Sequence, residues 1–333
     1  MELHYFLTTN GSSRHKTYTT TALSGYKDVI YLEGYPRKKA ETLVRECYAI
    51  AKQNKMDVEI IHNCLDNSLE GILLPQLQTA LMNFPIYEQG LSLAALFKNE
   101  ALKKYRDYME KAYACFAEAK EIHDEWENIY INSTNYTALD QFTEETAVML
   151  LADKRTDHKG SLCDRFLGAA TINGSVDYID ILSADIKRYL IKGRPGTGKS
   201  TLLKKIAQSA YNRGFHTERY HCSFDPNSLD MIIIREAGIC LFDSTAPHEY
   251  FPSRTTDEVL DLYATAVQPD TDRVYQKELS HIANEYKKKI NMATENLILA
   301  NTACNQAEET YTTMIDTDQL VSARKNIVTR LFP

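Results

Sequence analysis

No run of about 18 apolar residues occurs in the chain, and no basic-then-apolar segment opens it, so neither a membrane span nor a secretory leader is expected. Paired cysteines are missing as well. The seven present (Cys47, Cys64, Cys115, Cys163, Cys222, Cys240 and Cys304) are odd in number and scattered, with no C-x-x-C, which argues against a disulfide framework and a structural zinc site. A reducing, cytoplasmic setting fits best. Positive charge is in deficit: at a net −7 the chain is not suited to general adhesion to nucleic acid or acidic membranes. What remains is ordinary globular composition, and 333 residues suffice for two domains, each with its own core.

The most informative stretch is GRPGTGKST (193–201), which matches G-x-x-x-x-G-K-[ST] with Gly193, Gly198, Lys199 and Ser200 in the fixed places. A chain of this length meets those four positions by accident roughly one time in a hundred. The chemistry needs these residue types. The main chain must wrap around phosphates with its N–H groups pointing inward, and a Cβ at the glycine positions obstructs that path. Lys199 then reaches the β/γ-phosphates and Ser200 holds Mg²⁺. Pro195, Gly196, Thr197 and Thr201 complete the predicted binding segment. The flanks agree: KRYLIKG before the loop is β-compatible, and TLLKKIAQSAYNRG after it places Leu203, Ile206, Ala207 and Ala210 on one helical face.

Such a loop requires a second acid on a neighbouring strand to anchor the metal. Asp243, ending the apolar run AGICLFD as a buried parallel strand ends at a ligand-binding edge, is the candidate. HTERYH followed by CSFDPNSLD brings His221 and Asp225 to the same edge. Asp225 suits activation of a water or an acceptor hydroxyl, although Asp-Pro-Asn-Ser is equally turn chemistry. His221 reads better as a structural hydrogen-bonding residue. His248 and Arg254, in DSTAPHEYFPSR, lie where a loop closes over phosphates, but surface loops carry such residues routinely.

Far upstream, GYPRKKAET (34–42) repeats the loop with its working parts replaced. The match runs without a gap from Gly34 to His62 against Gly193 to His221, pairing Pro36 with Pro195, Thr42 with Thr201 and Glu59 with Glu218. DNSLE and DPNSLD then coincide after one inserted residue, Pro226, and the apolar runs that follow place Asn83 opposite Asp243. In the first copy Arg37 replaces Gly196, Lys39 replaces Gly198, Ala40 replaces Lys199 and Glu41 replaces Ser200. Bulk and acidity thus stand where phosphate sits, so nucleotide binding is expected only in the second copy. For Arg37, Lys38 and Lys39 the readings are a solvated basic face or an arginine finger reaching the intact site.

Each copy is followed by a glycine-free, charged helical segment. Leu102, Tyr105, Met109, Ala112, Phe116, Ala119, His123, Trp126 and Tyr130 recur at intervals of three and four, a coiled-coil seam in which His123 reads as a core histidine. INSTNYT (131–137) then predicts a turn, and ALDQFTEETAVMLLA a return arm completing a hairpin. Leu279, Ile282, Tyr286, Ala293, Leu297 and Ala300 repeat the plan. The expectation is therefore an α/β protein of duplicated P-loop NTPase domains, each a parallel sheet with flanking helices followed by a long helical hairpin. The domains are read as 1–155, with a hairpin over about 91–155, and 160–333, with a hairpin over about 256–330. The hairpins are expected to serve as lids or to dock a protein partner.

RFLGAATINGSVDYID, GRPGTGKSTLLKKIA, YHCSFDPNSLD and FDSTAPHEYFPSR together resemble a family of tandem P-loop proteins of bacteria, described as ATPase-like or nucleotide-kinase-related. The resemblance covers nearly the whole chain and is stronger in the second half. It implies binding of ATP, with Mg²⁺ as cofactor, and no assigned substrate. The sequence-based expectation is one ATP site in the C-terminal half, with Lys199, Asp243 and Asp225 as catalytic residues and Ser200 and Asp243 as metal ligands. Ser244 follows Asp243 where many fast ATPases carry a glutamate, so a slow or partner-stimulated hydrolase is expected. The alternatives are a kinase passing the γ-phosphoryl group to a small molecule or nucleotide, and a scaffold that binds nucleotide without turnover.

Overall fold

The structure, a computed structural model, describes residues 1–83, 100–152, 154–313 and 315–332. The first half contains β1 (Glu2–Phe6), β2 (Thr8–Gly11), β3 (Arg14–Thr17), α1 (Thr19–Leu23), β4 (Asp28–Leu32) and α2 (Arg37–Gln53), followed by β5 (Val58–His62), β6 (Leu69–Leu74), β7 (Thr79–Asn83), α3 (Glu100–Asn132) and α4 (Tyr136–Leu151). The second half runs β8 (Ser161–Phe166), β9 (Gly168–Thr171), β10 (Gly174–Asp177), α5 (Ile179–Leu182), β11 (Lys187–Lys192), α6 (Lys199–Asn212), β12 (His216–His221), β13 (Leu229–Ile234) and β14 (Ile239–Asp243). It then adds β15 (Glu258–Asp261), α7 (Leu262–Ala266) and α8 (Thr271–Val274) before α9 (Gln276–Thr312) and α10 (Thr317–Leu331). The two halves share one succession of elements up to β7 and β14.

One 11-stranded sheet runs β15-β11-β14-β13-β12-β8-β1-β5-β6-β7-β4. It is mixed, where a parallel sheet was expected. Only the turn 75–78 lies between β6 and β7, too short for a crossover, so that pair is antiparallel, as are β5–β6, β12–β13 and β13–β14. The pairs next to the two loops are parallel: β4 with β7 and β11 with β14. Strands such as LEGILL and LDMIII are buried at every position, as continuous apolar runs covered on both faces must be.

The halves meet at β1 and β8, joined by the single antiparallel pair Phe6↔Phe166. A buried ion network reinforces the seam. Arg165 of β8 donates to Glu59 of β5 (2.8 Å) and to Glu218 of β12 (2.9 Å), and its guanidinium lies 4.2 Å from the centre of the Tyr5 ring. Glu59 and Glu218 are matched positions of the sequence repeat, and one cation serves both. Burial alone disfavours a charged Glu218, but Arg165 and Arg235 hold its carboxyl below the usual range.

The helical arms depart from the expected hairpins. The described part of the first hairpin begins at residue 100, since 91–99 lie outside the described residues. The second arm begins at Gln276 rather than near 256, because Glu258–Asp261 is taken up as an edge strand beside β11. α3 packs along its length against α9, antiparallel: Met109, Ala112 and Phe116 share a cluster with Ala293, Leu297 and Ala300, and Leu102 meets Ala307 and Tyr311. α4 continues onto the other half instead of returning along α3. Its route is set by backbone bonds from Asn135 N–H to Ala266 and from Gln268 N–H to Ser133, while the Asn135 side chain caps α4. Leu139, Leu150 and Leu151 of α4 then enter the core built by β11, β13, β14 and α6. Reciprocally, Leu331 of α10 is buried in the core of the first half, with Leu320, Ile327 and Val328 packed against it. The arms are therefore exchanged.

Replacing Arg165 with methionine leaves Glu59 and Glu218 buried without their shared cation, so Arg165→Met should cost about 3–5 kcal/mol in chemical denaturation. A loss below about 1 kcal/mol, the scale of an exposed pair, would show that the seam does not rest on this residue.

Candidate functional site

β11 ends at Lys192, α6 starts at Lys199, and the turn between them is possible because Gly196 (φ 79) and Gly198 (φ 87) occupy left-handed backbone. A Cβ at Gly193 would sit 2.5 Å from Thr197 Oγ1, so the third glycine is required by close approach. Thr197 is buried and donates to the Arg194 carbonyl (2.8 Å), closing the turn on itself. Pro195 is half-buried within it, and Thr201, on the first turn of α6, faces solvent. Lys199, only 9% exposed, donates to the Arg194 carbonyl (2.8 Å) and lies 3.5 Å from Asp243 Oδ2. Ser200 Oγ accepts from the backbone N–H of Leu229 at 2.9 Å.

Asp243 ends β14 directly beside Ile191 of β11, the strand feeding the loop. Its Oδ1 accepts from the Thr245 N–H (3.1 Å) and hydroxyl (2.6 Å), leaving Oδ2 toward Lys199. Asp230 joins it, one step beyond the Met231↔Phe242 pair on the adjacent strand. Burial and then the charge of Asp243 push the Asp230 carboxyl up to about 6. Asp230 is a site residue the sequence reading missed; the available signal was a lone acid inside LDMIII, matched by Glu70 inside LEGILL. His221 is held between Asp164 (2.9 Å) and the Pro226 carbonyl (2.8 Å), a structural role as expected. His248 is buried and bonded to Asp177 (2.7 Å), while Arg254 donates to the Ser183 and Ala184 carbonyls. Neither is a mobile group over the loop. Burial opposes a charge on His248, but the bond to Asp177 and the nearby Asp230 outweigh it and raise its pKa.

The loop's cover comes from the other half. A Cβ on Gly196 would sit 2.5 Å from the Glu127 carbonyl oxygen of α3, and one on Gly198 would sit 2.5 Å from Leu139 of α4. One α3 face presents Lys120, His123, Asp124 and Glu127 here. Lys120 pairs with Asp124 and lies 3.8 Å from Asp225. Asp225 is a turn residue, its Oδ1 accepting from Asn227 N–H (3.1 Å), and its Oδ2 faces Lys120 of α3. Single oxygen or nitrogen atoms of His123, Asp124 and Glu127 all lie within 4.8 Å of one another. Burial, then the Lys120 charge, brings His123 down to about 4, and burial raises Glu127. Lys120, Asp124 and Glu127 escaped the sequence reading, and His123 was read as a core histidine, because the helix was assigned to its own return arm.

At the degenerate loop the turn has become helix. α2 starts at Arg37, three residues earlier than α6 does in the matched numbering, and the N–H groups of Lys39 and Ala40 bond to the Pro36 carbonyl instead of facing a ligand. With Arg37 and Lys39 in place of glycines, nothing favours the left-handed path. The Arg37 N–H donates to Glu308 of α9 (2.7 Å), and its guanidinium meets Asp66 (2.8 Å) and Asn305 (2.9 Å). Arg37 is therefore no finger reaching the intact site; it is buried in its own loop. Lys38 and Lys39 are exposed on α2. Glu41 pairs with Arg45 along α2, and the carboxylate standing in the anion position is that of Glu308. Asn83 keeps the register of Asp243, beside Leu32 of β4. α9 serves this loop as α3 serves the other: Glu308, Asn305 and Tyr311 stand where Glu127, Asp124 and Tyr130 stand, and Tyr311 donates to the Gly34 carbonyl (2.9 Å).

No protein-family model, curated protein or solved structure matches the chain.

Gly34 (φ 76) has only the Tyr311 hydroxyl, at 3.7 Å, near a Cβ position, so Gly34→Ala should cost the left-handed penalty of about 1–2 kcal/mol. Gly196→Ala carries that penalty and must also push α3 off the loop, so its loss in chemical denaturation should be clearly larger. Equal losses would show that α3 does not bear on Gly196.

Proposed function

We propose that the chain is an ATP-binding P-loop protein built from two P-loop-type halves, akin to bacterial tandem P-loop NTPases, with one competent site in the C-terminal half. The single observation that carries this reading is the register at the loop: a left-handed glycine turn leads from β11 into α6, with Lys199 inside it and Asp243 on the adjacent parallel strand. Backbone N–H groups at the start of α6 suit polyphosphate, and among the described residues Lys199 has only the Arg194 carbonyl and Asp243 to exchange for phosphate oxygens. Ser200, Asp243 and the neighbouring Asp230 offer oxygen donors alone, the set a hard divalent cation such as Mg²⁺ takes. When bound, that cation offsets the charge developing on the transferred phosphoryl group.

The protein is proposed as a slow or partner-stimulated ATPase of the cytoplasm. Ser244, after Asp243, is fully buried and donates to the Tyr250 carbonyl, so the position offers no carboxylate to orient water. All seven cysteines are unpaired, in keeping with a reducing compartment. Transfer to a small-molecule acceptor is the second reading, favoured by the Asp225 carboxylate that turns from the loop toward the polar face of α3.

Titration calorimetry with ATP and Mg²⁺ tests the site. Lys199→Ala removes charged hydrogen bonds worth about 1.5–3 kcal/mol and should weaken binding at least roughly tenfold. Lys39→Ala should leave it unchanged, and Asp243→Asn should abolish the magnesium dependence. Equal losses for the two lysine variants would refute the one-site reading. ADP release with and without candidate acceptors separates hydrolase from kinase.

A further inference from the structure

We propose that His123, carried on α3 of the half with the degenerate loop, is the general base for attack of water on the terminal phosphate at the intact loop. The inference rests on the ATPase reading above. α3 approaches the intact site at two points: the Glu127 carbonyl against Gly196, and Lys120, 3.8 Å from Asp225. His123 lies one helical turn from each, on the same face, and so spans the gap between the loop and Asp225. Phe224 and Tyr286 pack on its ring at centroid distances of 5.8 and 5.7 Å and fix its plane.

The Nδ1 atom of that ring is buried and has no hydrogen-bond partner among the described residues; the nearest carboxylate oxygen, on Glu127, is 3.7 Å away. A buried acceptor of this kind is costly unless something in the working cycle uses it. The charged and titratable groups around the ring are Lys120, Asp124 and Glu127 on its own helix, Asp225 from the segment after β12, Lys199 from the loop and Tyr286 from α9. Burial and the Lys120 charge keep the imidazole neutral near neutral pH, so a lone pair is available. Asp225 is committed to its turn and Lys120, and Ser244 to Tyr250.

The step balances without a further reactant. The water oxygen bonds to the γ-phosphorus, the bond from that phosphorus to the β–γ bridging oxygen breaks, and ADP leaves with those electrons. The water proton passes to Nδ1, and from there to the Glu127 carboxylate beside it. At the degenerate loop Cys304 of α9 takes the place of His123, and burial pushes its thiol up to about 12, so it stays protonated and cannot act as a base at neutral pH. The half with the degenerate loop thus takes part in the reaction through its arm, whereas α9 contributes only Tyr286, packed on the His123 ring.

The test combines steady-state ADP release at saturating Mg-ATP with calorimetric ATP binding, on the full chain. His123→Gln should bind ATP within about twofold of the parent protein while kcat falls about a hundredfold, the contribution expected of a positioned base. Added imidazole should restore part of the rate to His123→Ala and none to Lys199→Ala. A His123→Gln variant that binds ATP and keeps kcat within threefold of the parent overturns the proposal, as does a parent protein that binds ATP and never releases ADP. Both outcomes leave the nucleotide site standing, whereas failure of the parent protein to bind ATP removes the ATPase reading itself.

Discussion

A single guanidinium holds the molecule's two halves in register. Arg165 sits where β1 and β8 meet by one residue pair, and it is the only cation hydrogen-bonded to both Glu59 and Glu218 among the described residues. Two carboxylates buried that closely repel each other and are desolvated, so each needs the shared charge more than it would need a surface partner. Because the seam fixes the angle between the halves, it also fixes where each arm arrives. α3 and α9 can lie antiparallel only if the cores they leave face each other across this line, and each arm then ends over the loop of the opposite core.

From one loop pattern the two halves reach opposite outcomes, and the difference is conformational before it is chemical. Gly196 and Gly198 hold backbone that other residues adopt at a cost of about 1–2 kcal/mol each, which keeps the N–H groups turned inward. Arg37 and Lys39 remove that permission, so the same stretch relaxes into an extra turn of helix and spends its donors on Pro36. The emptied anion position is then filled from within the chain by the Glu308 carboxylate, while Arg37 reaches Asp66 and Asn305. The first loop is thus an internal joint between α2 and α9.

How much of this was legible beforehand depends on range. GRPGTGKST and its flanks specify strand, turn and helix through residues a few positions apart, and Lys199, Ser200 and Asp243 stand near one another where that local pattern puts them. The strands were legible as apolar runs, but not the mixed directions, which follow from turns as short as 75–78. Asp230 was hidden because one acid in LDMIII scarcely disturbs an apolar pattern. The largest departure concerns partners: the spacing of Met109, Ala112 and Phe116 says that a helix will cover them, and says nothing about which. A seam of three-and-four spacing is satisfied equally by a return arm or by α9. The exchange of arms, and with it the placement of His123, Asp124 and Glu127, is therefore a property of the assembled sheet rather than of any stretch of sequence.

That exchange also bears on what happens if the chain is divided. A cut in the stretch between α4 and β8 gives two fragments, each parted from the arm that covers its loop. The apolar residues of α4 and α10 would each then be stranded in water. Each half is thus bound to the other for mechanical reasons, since α4 completes one core and α10 the other, whatever each contributes to chemistry.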